Sequence, residues 1–411
     1  MQFGHILFYV TTYFSLFSAL LMISTLFENK KKLINPPATK YPAITLIVPA
    51  YNEEKSIALT IRSLLDLDYP KGKLDIIVVD DGSTDKTYQI SSGFSSSNVK
   101  VYKKANGGKA SALNFAIKEC KTKFVGALDA DSFVERDSLK KMMGYFENPN
   151  VMAVTPSLKV YDPKTLLQKI QRIEYLTGIF LRKVFSFLGS IHVTPGPFSL
   201  YRKSFFKEFG GYDESTLTED IEIALRIQSN NFAIENSADA IVYTLGPDNF
   251  SNLFKQRIRW YLGFLDNVIK YKHLFNPKYG NLGVFILPAS FFSVFLALAS
   301  FFYASIKYGK ALLNYLFKLN SINYDIIKMI DFKLDVFYLN TTNIIFMSVF
   351  LLSLGIFILY IARKISNDPA KIRFFYFFYL AFYWMLFSIW WSTVFIYKII
   401  GKRISWEHKS N

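Results

Sequence analysis

Cysteine is nearly absent: Cys120 is the only one in 411 residues. A lone cysteine cannot close a bridge within the chain, which excludes a disulfide scaffold. It is expected as a small buried residue. Histidine is scarce as well, with four in all. His5, His273 and His408 fall at chain ends or in a linker, so only His192 stands near a possible cleft. It is expected as a satisfied polar residue rather than a metal ligand. There is no internal repeat, and the one low-complexity piece, Ser91–Ser97, reads as a loop. Acidic residues are in deficit, 32 against 48 Lys and Arg, for a formal net charge of +16. What the chain has in quantity is apolar side chain, 51% hydrophobic and 18% aromatic. That content excludes intrinsic disorder. A mean hydropathy of +0.20, concentrated in long runs, speaks against a soluble basic nucleic-acid binder, so no nucleic-acid partner is expected. The length suggests two or three domain-sized units.

Four runs are long and apolar enough to span a bilayer, which takes roughly 20 residues each: Ile6–Phe27, Leu282–Ile306, Ile344–Ala362 and Phe374–Ile400. Lys30, Lys31 and Lys32 follow the first run instead of preceding it, as an uncleaved anchor requires and a signal peptide does not. Pro288 is expected to kink the second. Residues 276–411 carry 14 basic and 5 acidic side chains, a pattern of basic flanks on membrane helices. Arg363, Lys364, Lys371 and Arg373 place the loop between spans three and four in the cytoplasm. Counting crossings puts residues 28–280 there too, and the amino terminus, the connector 307–343 and the tail with Lys402, Arg403 and Lys409 outside. The connector pattern, from Leu312 to Ile330, suggests a surface helix.

Between the first two spans, β-branched runs alternate with helical patterns. Strands are expected at Ile44–Pro49, Ile76–Asp80, Val99–Lys103, Phe124–Asp129 and Val151–Thr155. Helices are expected at Glu53–Asp66, Asp85–Ser92, Lys109–Glu119 and Asp137–Phe146. Alternation of this kind implies an α/β fold on a mainly parallel sheet. Two later helices, Thr165–Leu188 and Phe250–Lys272, are amphipathic and basic, and such helices lie at a membrane interface. The layout is an anchor (1–28), a cytoplasmic catalytic domain (40–248), an interfacial helix (249–275) and a three-span region (280–400).

Chemistry is expected where strands end, since ligands of open α/β sheets bind there. Asp80-Asp81-Gly82-Ser83 ends one strand and Asp129-Ala130-Asp131 another. Asp-x-Asp spacing on a turn can give carboxylates to a hard divalent ion such as Mg²⁺ or Mn²⁺, although each motif alone is also an ordinary turn. Thr218-Glu219-Asp220 opens a helix, where it can serve as a cap or offer a general base. Gly107-Gly108-Lys109 before a helix can meet phosphate. Gln256, Arg259 and Trp260 share one helical face, and Arg and Trp suit phosphate oxygens and a sugar face respectively. A cation–π pair at the membrane is the plainer alternative.

Taken in order, these motifs resemble the membrane-bound glycosyltransferases of family 2, above all the synthases of poly-N-acetylglucosamine, hyaluronan and cellulose. The matching stretches are Ile47 to Glu53, Val78 to Asp85, Gly108 to Asn114, Asp129 to Asp131, Thr218 to Asp220 and Gln256 to Trp260. The resemblance implies a GT-A (Rossmann-like) domain with interfacial helices and about four membrane helices. It implies that Pro49, Ala50, Tyr51 and Glu53 line a nucleotide pocket, with Asp81 on the base and Asp80 beside it. Lys109 would lie near the phosphates, and Asp129 and Asp131 would face the sugar-nucleotide and Mg²⁺ or Mn²⁺, Asp131 as the direct ligand. Asp220 would be the base and Glu219 its neighbour. Gln256, Arg257, Arg259 and Trp260 would hold the diphosphate and acceptor, and Gly196-Pro197-Phe198-Ser199 would form the acceptor-side loop. The implied partners are a UDP- or GDP-sugar donor, membrane lipids and a glycan or lipid-linked acceptor. The implied activity is inverting, metal-dependent and processive polysaccharide synthesis. Ceramide glucosyltransferases carry a similar Gln-x-x-Arg-Trp, so the alternative, single transfer to a lipid acceptor, stays open. No gating loop of the cellulose synthase kind stands between Trp260 and the second span.

Overall fold

A computed structural model describes residues 3–321, 343–368 and 374–402. Helix α1, Phe3–Glu28, leads through a short 3₁₀ turn into a domain of alternating elements. In order these are β1 (Ile44–Ala50), α2 (Ile57–Leu65), β2 (Leu74–Asp80), α3 (Thr87–Ser92), β3 (Val99–Lys103), α4 (Lys109–Glu119), β4 (Phe124–Ala127), β5 (Ser132–Val134), α5 (Ser138–Met143) and β6 (Val151–Val160). They continue with α6 (Leu166–Phe187), β7 (Ser199–Arg202), α7 (Lys203–Phe209), α8 (Glu219–Ser229), β8 (Ala233–Thr244) and α9 (Phe250–Lys270). Every residue of β1 is buried, as a central strand covered on both faces must be.

The eight strands form one sheet in the order β3-β2-β1-β4-β7-β6-β8-β5. The first four run parallel, as expected. Among the other four, β6 pairs parallel with β8, so four of the seven pairings are parallel and the sheet is mainly parallel with an antiparallel part. β7 runs antiparallel between β4 and β6, and β5 antiparallel to β8. α6, which links β6 to β7, packs against the sheet and against membrane helices α1, α11 and α12.

Three further helices are long and apolar enough to cross a membrane, so with α1 there are four among the described residues. They are α10 (Leu287–Ser321), α11 (Asn343–Ile365) and α12 (Phe374–Ile399). The expected kink at Pro288 takes another form. Proline has no N–H for the preceding turn, and here a π-helical turn, Leu282–Ile286, comes just before it. α10 runs on through the connector to Ser321, while positions 322–342, with the rest of the expected surface helix, lie outside the described residues. So do Lys371, Arg373, Arg403 and Lys409.

The two amphipathic helices join the domain to the spans. α6 starts at a capping box: the Gln168 amide donates to Thr165 Oγ1 and the Thr165 amide to Gln168 Oε1. Its stripe, Ile173, Leu176, Ile179 and Phe180, is buried against Met22, Ile23 and Leu26 of α1 and Leu359 of α11. α9 begins at an Asn249 cap and buries Leu253, Ile258, Leu262 and Leu265 with Val294, Trp390 and Trp391. Both stripes therefore belong to the seam with the spans. A polar clamp adds to it: Lys159 Nζ donates to the Ser366 carbonyl at 2.8 Å, and Arg172 pairs with the buried Asp368 at 2.6 Å.

Candidate active site

The loops after β1 and β2 are zipped together by side chains. Asn52, at φ 55°, accepts from the Thr84 amide on Oδ1, and its own amide donates to Ser83 Oγ. The Glu53 amide donates to Thr87 Oγ1 at 2.7 Å. This fixes the turn that follows Pro49, Ala50 and Tyr51. The Glu53 carboxylate accepts from Ser56 at 2.6 Å, and burial, with Asp129 and Asp85 nearby, raises its pKa.

Asp81 is occupied within the protein. Its carboxylate accepts from the Gly107 and Gly108 amides, the latter at 2.7 Å, and from Lys104 Nζ at 2.6 Å. It thereby holds the loop that opens α4 and points Lys109 inward. Asp80 is fully buried, and neither of its carboxyl oxygens has a hydrogen-bond partner. A buried acid in that state calls for a donor from a ligand or water.

Lys109 is the hub of the site. Its Nζ lies 2.6 Å from Asp129 Oδ1 and 2.8 Å from Glu219 Oε1. Burial opposes its charge, but Asp129, Glu219 and Asp220 together hold its pKa above the usual lysine range. Burial likewise penalises the Glu219 carboxylate, and Lys109 outweighs it, so Glu219 stays below the ordinary range. Gly196 packs directly on this pair: a Cβ there would collide with Lys109 Nζ and fall 2.9 Å from Asp129 Oδ2. Any larger residue would make the ends of the Lys109 and Asp129 side chains shift.

Asp220 stands in the first turn of α8 and is pushed up to about 7, by burial first and by Glu219 next. Its backbone carbonyl accepts from both the amide and the hydroxyl of Thr194, at 3.1 and 2.9 Å. Thr218 does not cap the helix through its side chain, contrary to the cap reading. Its hydroxyl is instead held by Asn267 of α9 at 3.0 Å. A Cβ on Gly263 would strike that threonine, so α9 and α8 are fitted together at this point.

The residues Gln256 to Trp260 divide. Arg259 carries a positive charge that acts on both Glu219 and Asp220. Arg257 is fully buried, with NH2 2.6 Å from Glu174 Oε2 and NH1 donating to Gln256 Oε1. Its guanidinium lies 4.3 Å from the centroid of the Trp260 ring. Arg257 therefore joins α9 to α6 through NH2. One face of Trp260 is covered by that stack. His192 sits between Phe185 and Phe264, with ring centroids at 5.4 and 6.1 Å, and Nδ1 meets the Ser190 carbonyl. This is the satisfied polar histidine expected.

Asp131 is pushed up to about 7 by burial and by the charges of Asp129 and Glu53. Its carboxylate accepts from Ser132 Oγ at 3.0 Å. A concentration of carboxylate held above its normal range, with all-oxygen donors, fits a hard divalent cation. Among the described residues no three His, Cys, Asp or Glu converge as a preformed metal cage. Asp131 and Asp129 would thus hold the ion only together with oxygens of a ligand.

Comparison with known proteins bears on the whole arrangement. The glycosyl transferase family 2 signature matches residues 45–210, which include the loops around Asp81, Lys109, Asp131 and Gly196. The chain carries a glycosyl transferase family 2 domain. Over 239 residues it is 33% identical to the poly-beta-1,6-N-acetyl-D-glucosamine synthase of Staphylococcus epidermidis, covering 57% of this chain and 58% of that one. The synthase of Staphylococcus aureus strain COL aligns at the same identity over 57% of its length. The alignment thus spans less than two thirds of these curated relatives. Among solved structures, the mannosyltransferase PcManGT from Pyrobaculum calidifontis, in complex with GDP-Man and Mn2+, superposes with a TM-score of 0.60 at 17% identity. The superposition covers 97% of this chain and all of the other, so the fold is shared.

Sequence reasoning named Lys109 and the loop that begins at Gly196 but not their contacts, and it missed Arg182. Lys109 is paired with Glu219, Gly196 closes on the pair, and Arg182 of α6 lies within electrostatic reach of Asp220. Their only advance signal was a glycine and two cations on elements that the motifs already bracketed.

Proposed function

We propose that the protein is an inverting, metal-dependent membrane glycosyltransferase that moves a sugar from a nucleotide-sugar to a growing polysaccharide. The observation that carries the reading is the raised carboxyl of Asp220, set beside the Lys109–Glu219–Asp129 cluster and under the charge of Arg259. Asp220 takes the proton of the acceptor hydroxyl as that oxygen bonds to the anomeric carbon. The bond from that carbon to the diphosphate breaks, and nucleoside diphosphate leaves with the electron pair. Attack opposite the leaving group inverts the carbon. Arg259 and Lys109 set a positive potential where negative charge develops on the leaving group. A divalent ion, held when bound by Asp131 and Asp129, supplies further neutralisation of the diphosphate. Asp80, with Pro49, Ala50, Tyr51 and Glu53, lines the nucleotide side, and Gln256 and Trp260 the acceptor side. The similarity to N-acetylglucosamine polymer synthases supports UDP-N-acetylglucosamine as the first donor to try, and Lys30–Lys32 after α1 supports a cytoplasmic catalytic domain.

The test is product sizing. The purified protein in nanodiscs is given UDP-N-acetylglucosamine with Mn²⁺ or Mg²⁺. Long polymer and stoichiometric nucleotide diphosphate are expected, and chelation should stop both. Single-sugar products alone overturn the polysaccharide assignment, and an unchanged rate in chelator overturns metal dependence.

The pH profile follows from Asp220. A base with a raised pKa is protonated, and idle, below that value. The rate of transfer should therefore fall about tenfold per unit as pH drops below about 7, the value to which Asp220 is raised. Initial rates from pH 5 to 9 check this. A flat acid limb would remove Asp220 from the role of base.

A further inference from the structure

The loop 194–198, just before β7, touches both halves of the site. Gly196 lies against Lys109 and Asp129. The Phe198 amide donates to the carbonyl of Ala127, two residues before Asp129, at 2.6 Å. On the other side Thr194 gives both its amide and its hydroxyl to the Asp220 carbonyl. The loop holds one shape. Phe198 is fully buried yet sits at φ 63°, a left-handed conformation that bulky residues rarely adopt. Ser199 Oγ donates back to the Pro195 carbonyl at 2.6 Å. Backbone held in this way clusters at functional sites.

The Thr194 hydroxyl is itself aimed. Tyr201 Oη donates to Thr194 Oγ1 at 2.9 Å, which leaves the threonine proton for the Asp220 carbonyl. Hydroxyls in series polarise one another. Tyr201 is mounted on β7, paired with Val125 of β4 on one side and Ala153 of β6 on the other. Burial pushes its phenol up to about 12, so it keeps its proton through neutral pH. Tyr212 meets the Tyr201 ring edge-on, with centroids 6.1 Å apart. Asn114 of α4 fixes Tyr212 in turn: Nδ2 donates to the Tyr212 carbonyl at 2.9 Å and Oδ1 accepts from its amide at 2.7 Å. The same helix opens at Lys109. The Asp220 carboxyl accepts from the next amide, Ile221, so its place follows the main chain of that turn.

We propose that Tyr201 and Thr194 are positioning residues, whose hydroxyls in series hold the Asp220 turn of α8 at a set distance from Lys109 and Asp129. The proposal rests on the reading of Asp220 as the base and deepens it by naming what aims that base. Both side chains are buried and act through the Asp220 main chain. A misplacement of about 1 Å can cost on the order of 10²-fold in rate.

The test is a double-mutant cycle on the full chain in nanodiscs, with UDP-N-acetylglucosamine and Mn²⁺. Tyr201→Phe removes one oxygen and should lower single-turnover transfer about tenfold, with nucleotide affinity and donor KM within about twofold of the wild type. Thr194→Val, which keeps the backbone amide, should cost at least as much. Thr194→Ser should return the rate to within about threefold of the wild type. In an Asp220→Asn background each loss should shrink to under about twofold, because residues that act as a unit are not additive. Thermal unfolding reports on folding, and the Val and Ser variants of Thr194 carry the cycle if Tyr201→Phe is poorly folded. An equal cost in both backgrounds, wild-type transfer in Tyr201→Phe and Thr194→Val, or no recovery in Thr194→Ser overturns the proposal. Wild-type transfer in Asp220→Asn overturns the reading of Asp220 as the base. Loss of transfer there, with an undiminished further cost from Tyr201→Phe, sinks this proposal alone.

Discussion

Asp220→Asn lowers kcat for sugar transfer by about 10²–10⁴-fold, the usual worth of a positioned general base, and leaves nucleotide affinity nearly unchanged. The amide keeps the shape of the carboxyl and can still accept from the Ile221 amide, which reaches Asp220 Oδ1 at 2.9 Å. The backbone carbonyl that receives Thr194 is untouched. Only the ability to take a proton is lost. Glu219 cannot stand in, because it is tied to Lys109 at 2.8 Å and held ionised at low basicity. Single-turnover rates and calorimetric nucleotide binding, measured together, check the split. Loss of both would mean a folding defect. Full retention of transfer would remove Asp220 from the role of base and place the proton acceptor elsewhere.

How far such a site can be read before the fold is known varies by element. β3 and α4 stand where periodicity puts them, because each combines a clear apolar pattern with a sharp boundary, and Gly108 at φ 88° starts α4. β8 was invisible. It carries Glu235, Asn236, Ser237 and Asp239, which spoil any alternation, and it is held by tertiary bonds such as Asn236 Nδ2 to the Thr155 carbonyl at 3.1 Å. β7, four residues long, owes its direction to β4 and β6 rather than to its own pattern. In the site, the carboxylates were legible because strand ends collect them. Their partners were not. Lys109 meets an acid 110 positions away, and Arg257 meets Glu174 across 83. A sequence names a charged residue without saying which opposite charge will cancel it, and here that choice separates Arg257, which is buried and paired, from the cluster that faces the reaction.

Lys109→Met is expected to be the most damaging change to stability. The lysine is the cation common to Asp129 and Glu219 at ion-pair distance, and its charge also acts on Asp220. Methionine fills much of the same space but leaves acids crowded in a half-dry pocket. Breaking such a pair by removing one partner costs about 3–5 kcal/mol. The sign of the pH dependence follows from Glu219, whose pKa in the fold is lowered below its ordinary 4.5. A lowered carboxyl pKa contributes stability that is present above the unfolded value and lost as pH falls through the folded one. Lys109→Met forfeits that contribution at pH 7, so its deficit against the wild type should be large there and shrink as pH drops through the carboxylate range. The acid limb of any residual activity should move to higher pH, since Lys109 no longer offsets burial at Asp220. Thermal unfolding at pH 7 and pH 4, in the same detergent, measures the first effect. An equal deficit at both values would show that the loss is one of packing and that the carboxylates do not depend on Lys109 for their charge.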